Sequence, residues 1–344
     1  MTAFEPDDSE NQANGGIAMQ SYWIQSSADQ TTLARREVPL PEPAPGQVLV
    51  RMRAAGLNRG EFIAGHGLTK AGAAKPAGVE GAGEIVKLGA GVTGLTPGAR
   101  VMGRCGGAFA EYALMDAREA IAVPARLSWE EAASIPLTFM VVHDMLIAQG
   151  RLAAGEWLLA TGISSGVGVA ALQTAKALGA KVIGTSGSAD KLERLKAAGL
   201  DVGIRTRAGD FCDAVIAATG GKGANLVVNN VGGSVFAECV RALAFQGRLA
   251  TVGYVDGVLK GEMDIEALHA KRLTLFGVSN KLRSAEQRAE SARGFVADIL
   301  PAITDGRIRP LIDWVYAFDE LPAAKARMES NTHLGKIVVR MRDA

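Results

Sequence analysis

From about Tyr22 to Ala122 the chain alternates short apolar, β-branched runs with glycine and proline turns. Residues 48–52, 83–87 and 100–102 read as strands, and Pro39, Pro41, Pro43, Pro45 and Gly46 form a stiff loop before the first of them. Runs at this spacing predict a compact, barrel-like sheet. The period changes near Ser128. Helices are predicted at 129–134 and 138–149, and strands then alternate with helices. Strand 157–160, helix 167–178, strand 181–184 and helix 189–198 follow one another, each helix closed by a glycine (Gly179, Gly199). Later strands fall at 226–229, 248–252 and 273–276. Such alternation predicts an α/β fold with a doubly wound parallel sheet. A helix at 287–304, an extended proline-containing stretch, a short helix near 323–328 and a strand at 336–340 complete the chain.

Composition narrows the function classes. Among 344 residues, 37 Lys and Arg balance 36 Asp and Glu, which gives no electrostatic reason to expect nucleic acid or an anionic membrane as partner. No apolar stretch reaches the roughly 20 residues of a membrane span. Residues 1–18 are polar and lack the pattern of a signal peptide, so a disordered extension and a cytoplasmic protein are expected, with Met19 an alternative start. Three scattered cysteines (Cys105, Cys212, Cys239) fit a reducing compartment, and neither they nor the four histidines show metal-ligand spacing.

The strongest local feature joins the strand at 157–160 to the next helix: Thr161-Gly162-Ile163-Ser164-Ser165-Gly166-Val167-Gly168. A tight turn of this kind lets backbone N–H groups approach a pyrophosphate at a helix N-terminus. It fails a strict GxGxxG, and a plain βα turn is the competing reading; its place on the first strand of the βαβ unit favours dinucleotide binding through Ser164, Ser165, Gly166 and Val167. The second strand ends Gly184-Thr185-Ser186-Gly187-Ser188-Ala189-Asp190-Lys191, without a carboxylate at its tip for a ribose 2′-hydroxyl. Ser186, Ser188 and Lys191 can instead hold a 2′-phosphate, so NADPH is the expected cofactor. Ser188 also suits a helix N-cap, with Lys191 merely solvated.

Several segments in this order resemble the zinc-independent branch of the medium-chain dehydrogenase/reductase superfamily, typified by NADPH:quinone oxidoreductase. They are Ala55 through Glu61, Pro76 through Gly83, Gly106 through Tyr112, Pro136-Leu137-Thr138, Asp305 through Pro310 and His333 through Val338. The resemblance spans residues 22–340. It implies a GroES-like β-rich catalytic domain built from 19–136 and 276–344, an inserted Rossmann domain at 137–275, and a homodimer paired near 273–276. Zinc-dependent relatives carry Cys in the segment matching Asn58–Glu61 and a His-Glu pair where Val79-Glu80 stands; neither Asn58 nor Val79 replaces such a ligand. No metal site is expected.

By the same resemblance Asn58 lies near the nicotinamide and the acceptor oxygen, as the catalytic candidate. Thr138, Asn230, Gly253 and Tyr254 line the cofactor cleft, with Ser279 and Lys336 as further candidates. Without a Lewis acid, electron-poor acceptors suit direct hydride addition better than simple alcohols. The implied substrate is therefore a small quinone, enone or alkenal. An enoyl-thioester reductase and a non-catalytic NADPH-binding protein are the alternatives. Two departures from the family pattern stand out. Asn229-Asn230 replaces a frequent acidic residue, and Thr206 stands where a tyrosine often packs on adenosine, leaving Arg205 or Arg207 to meet the 2′-phosphate. His66 reads as a loop histidine, and His143 as a packing residue.

Overall fold

A computed structural model describes residues 17–27, 30–62 and 72–342. The β-rich part comprises β1 (Ala18–Ser26), β2 (Thr31–Pro39), β3 (Gln47–Gly56), a one-turn α1 (Arg59–Phe62), β4 (Lys75–Pro76), β5 (Glu80–Leu88), β6 (Arg100–Gly106), β7 (Tyr112–Asp116) and β8 (Ile121–Ala122). Pairing runs β3–β5–β6–β7, and β7 returns to β3, so four strands close on themselves. Closure leaves no free edge within that ring. Its interior is filled by Val50, Met52, Ile85, Val101 and Phe109.

Two helices, α2 (Trp129–Ala133) and α3 (Pro136–Val142), lead into the nucleotide-type fold. That fold comprises β9 (Trp157–Ala160), α4 (Gly166–Ala177), β10 (Lys181–Ser186), α5 (Ala189–Lys196), β11 (Val202–Arg205), α6 (Cys212–Ala218), β12 (Ala224–Asn229), α7 (Phe236–Arg241), β13 (Leu243–Thr251), α8 (Ile265–Ala270) and β14 (Thr274–Gly277). The sheet order is β11-β10-β9-β12-β13-β14, with every pairing parallel. This is the doubly wound order, whose reversal at β9 opens a crevice at the carboxyl ends of the strands. Strands β9 and β12 read as continuous apolar runs because helices cover both faces; Leu158 and Val228 face one core, Leu159 and Val227 the other.

The chain then forms α9 (Ala285–Asp298), α10 (Leu300–Thr304), β15 (Ile312–Ala317), α11 (Leu321–Glu329) and β16 (Lys336–Arg340). The last strand pairs antiparallel with β3, so the chain end completes the sheet begun near its start. Helix α9 packs on α3 through Phe295 and Phe139, in the same core as Leu158 and Val228. The tail thus returns to the β-rich part from β15 onward. The expected division at residue 276 falls inside β14.

Three local expectations are corrected. The single helix expected at 138–149 ends at Val142 and continues as a π-helical turn, His143–Ala148, with Gln149 N bonded to Asp144 O. The helix expected at 287–304 starts earlier, at Ala285, where Ser284 and Gln287 form a reciprocal capping box. It breaks at Ile299, because Pro301 lacks an N–H and suits only the first turn of a new helix. Ala18 already belongs to β1; residues 1–16 and His66 lie outside the described residues.

Candidate active site

The phosphate-type turn is built from packing that only small residues allow. Gly162 sits at φ +61°, where a Cβ would make ordinary contacts with Val231 and Asn230, and a Cβ on Gly168 would lie 2.6 Å from Ile163 O. Ile163 is fully buried and packs on Gly184 of β10, where a Cβ would meet its side chain at 2.7 Å. Ser165 is the N-cap of α4, accepting from Gly168 N at 3.1 Å. Its use of that third amide leaves the N–H groups of Gly166 and Val167 without a helical partner. Two amides and the positive end of a three-turn helix form an anion cradle.

Around the cradle the expected residues divide. Ser164 and Ser186 approach each other, Oγ to Oγ 3.4 Å, at the tips of adjacent segments. Ser188 caps α5, receiving Lys191 N at 3.3 Å. Lys191 Nζ donates to Asn331 O and His333 O, both at 2.7 Å, so its ammonium anchors the loop before β16. Arg207 lies across Gly187, where a Cβ would stand 2.4 Å from its Nε, and this places a guanidinium at the strand tip. Asn230 turns its amide inward, Nδ2 donating to Thr161 O at 3.0 Å, and so braces the turn. Asn229 Oδ1 receives the amides of Val231 and Gly232. Gly253 and Tyr254 follow β13 at the same end of the sheet; Ser279 is exposed and accepts from Lys281 N at 3.2 Å.

The second half of the site lies where β16, β5 and the segment after β3 meet. Lys336 Nζ donates three hydrogen bonds: to Glu80 Oε1 at 2.7 Å, Leu57 O at 2.8 Å and Asn58 Oδ1 at 3.0 Å. Asn58 Nδ2 donates to Glu80 Oε1 at 2.8 Å, and Glu80 Oε2 accepts from Leu137 N at 2.7 Å. Glu80 has no exposed surface and Lys336 has 7%. The Asn58 amide is oriented by opposite charges, carbonyl to the ammonium and amino group to the carboxylate. Its second N–H faces Gly56 O at 3.5 Å, beyond a good hydrogen bond, and the Asn58 side chain also hydrogen-bonds the buried Glu61 carboxyl.

The same lysine ties this cluster to the cradle. A Cβ on Gly166 would stand 2.8 Å from Lys336 Cδ, and Gly335 N donates to Ser164 O at 3.1 Å. Buried Thr138 lines the narrow gap between them with Gly166 and Lys336, a space of about 10 Å³. Asn58, Thr138 and Lys336 are thus brought together beside the cradle.

Glu61, which sequence reasoning passed over, is buried one turn from Asn58 and accepts from Gly78 N at 3.0 Å. Burial, and then the neighbouring Glu80 charge, push its carboxyl up to about 8. Its only sequence signal was a carboxylate in the segment that carries a zinc ligand in other relatives. Cys105 is buried, which with nearby carboxylates holds its thiol up at about 12, so it stays protonated. His143 is buried, with a ring nitrogen 2.7 Å from Asp298, the packing role expected. His333, beside the Lys191 anchor, is lowered to about 4 by burial and by Arg59 and Lys191. Among the described residues, no three His, Cys, Asp or Glu side chains are grouped to hold a metal ion. No helix there is long and apolar enough to cross a membrane.

Two family models match the chain: the alcohol dehydrogenase GroES-like domain over residues 44–125 and zinc-binding dehydrogenase over residues 166–292. With this fold they place the chain in the medium-chain dehydrogenase/reductase superfamily, with quinone oxidoreductase-like members among its structural neighbours. The structure of mycobacterial Rv1454c complexed with NADPH matches at TM-score 0.84 and 26% identity, covering 94% of this chain and 99% of that one. A mycobacterial quinone oxidoreductase matches at TM-score 0.81 and 26% identity, with the same coverage. The highly reducing polyketide synthase ALT1 of Alternaria alternata is 30% identical over 313 residues, which are 90% of this chain; the chain spans 12% of that synthase's length.

Proposed function

We propose that the protein is an NADPH-dependent reductase that transfers hydride to an electron-poor acceptor, a quinone or a conjugated enone or alkenal, without zinc. The observation that carries this reading is the Asn58–Glu80–Lys336 cluster, with Glu80 and Lys336 buried, beside the anion cradle. Asn58 and Val79, neither of them a metal ligand, stand in the segments where zinc-dependent relatives carry Cys and His, and Glu80 is instead engaged by Lys336. NADPH, when bound, supplies the hydride. The N–H groups of Gly166 and Val167 suit its pyrophosphate, and Arg207, Ser186 and Ser188 suit a 2′-phosphate at a strand tip without a carboxylate. Lys191 contributes mainly by holding the 331–333 loop over that end of the site.

Asn58 then shares the N–H that faces Gly56 and Glu61 with the acceptor oxygen, while Glu80 and Lys336 hold the amide in place. Such a site stabilises delocalised charge, as in a reduced quinone or an enolate, better than a localised alkoxide. The exposed edge strand β14, with Leu275 at 36% exposure, is the proposed pairing edge of a homodimer. A screen of NADPH oxidation with quinones, enones, alkenals and enoyl thioesters, run beside NADH, tests the reading. Turnover of quinones or enones with NADPH preferred supports it; no turnover of any acceptor favours a non-catalytic binding protein. The similarity to a polyketide synthase segment supports a second reading, reduction of an enoyl thioester. It would hold if only thioesters turned over.

A further inference from the structure

A second cavity is remote from the cofactor cradle. A cleft of about 410 Å³ opens at the amino-terminal ends of β9, β12 and β14, the opposite end of the sheet from the phosphate-type turn. Its floor is the ion pair of Arg248 with Glu156 at 2.7 Å, which neutralises both charges, and Arg248 also donates to Arg151 O. Above the floor stand the exposed guanidiniums of Arg151 and Arg272, whose side chains make no ion pair or hydrogen bond among the described residues. Asn225 accepts from Trp157 N through Oδ1 and leaves its Nδ2 without a partner among the described residues.

Backbone geometry singles out the same place independently. Four described non-glycine residues have positive φ: Arg151 (46°), Gln246 (58°), Arg272 (53°) and Asn331 (57°). The first three line this cleft. Arg272 follows the C-cap of α8, where glycine is the usual residue because it adopts this conformation without steric cost. Strain of this kind, concentrated at one cavity and on its two free cations, points to a role for their side chains.

We infer that this cleft is a binding site for a phosphoryl-bearing anion, held by Arg151 and Arg272 with Asn225 as third donor. Paired guanidiniums match phosphate oxygens in geometry as well as charge, and the neutral floor adds no repulsion.

The test is calorimetric titration of the whole protein, saturated with NADPH so that the cradle is filled, with inorganic pyrophosphate at low ionic strength. Saturable binding at one site per chain is expected, weakened at least about tenfold in the Arg151→Gln/Arg272→Gln variant. No saturable binding, including the case of a cleft closed by a second copy, overturns the proposal, as does equal binding by the variant. Arg151→Gly/Arg272→Gly should raise Tm while losing pyrophosphate; a lowered Tm would contradict the strain premise.

Discussion

Lys336 reaches from the last strand of the chain to within 2.7 Å of Glu80, a carboxylate with no exposed surface. The two are 256 residues apart in sequence. Removing one member of a buried ion pair leaves the other without compensation, and costs about 3–5 kcal/mol. Lys336→Met should therefore lower unfolding free energy by about that much in urea denaturation. The double variant Lys336→Met/Glu80→Gln should recover much of the loss, because no uncompensated charge remains.

Asn58→Ala removes the amide N–H proposed to meet the acceptor oxygen. Loss of a single oxyanion donor costs roughly 100-fold in kcat. Steady-state kinetics should show that fall with the NADPH dissociation constant unchanged.

Glu61 makes stability depend on pH in a defined direction. Its folded value, about 8, lies above the ordinary 4.5. Its favourable contribution is complete below the unfolded value and is lost as pH rises through the folded one. Tm of the wild type should fall between pH 5 and 9 more steeply than Tm of Glu61→Gln, measured by calorimetry across the range. Parallel curves would remove Glu61 as the source.

Arg207, whose side chain makes no hydrogen bond or ion pair among the described residues, lies at the tip of β10, whereas the Lys191 ammonium is engaged. Arg207→Ala should raise KM for NADPH by about tenfold and leave KM for NADH unchanged. Lys191→Ala should instead lower Tm, since it releases the carbonyls of Asn331 and His333.

The architecture was legible because each layer writes a different period: alternating short strands in the closed sheet, buried runs such as Trp157–Ala160 in the parallel one. Strand β2 left little trace, because TTLARREVP is polar and largely exposed on both faces. The π-helical turn was hidden, since His143–Ala148 carries the apolar residues of an ordinary helix and differs only in hydrogen bonding. Within the site, the turn at Gly162–Gly168 could be read locally, as could Ser188 as both cap and candidate ligand. The Asn58–Glu80–Lys336 cluster could not, because three distant segments assemble it and its charges cancel only in three dimensions. The occupied ammonium of Lys191 was invisible for the same reason.

The most direct measurement is NADPH oxidation with a simple quinone and an enone, before and after exhaustive treatment with a zinc chelator, and again after added zinc. Turnover unchanged by chelation and by zinc is the expected result. Activity that disappears on chelation and returns with zinc would contradict the metal-free site centred on Asn58, Glu80 and Lys336.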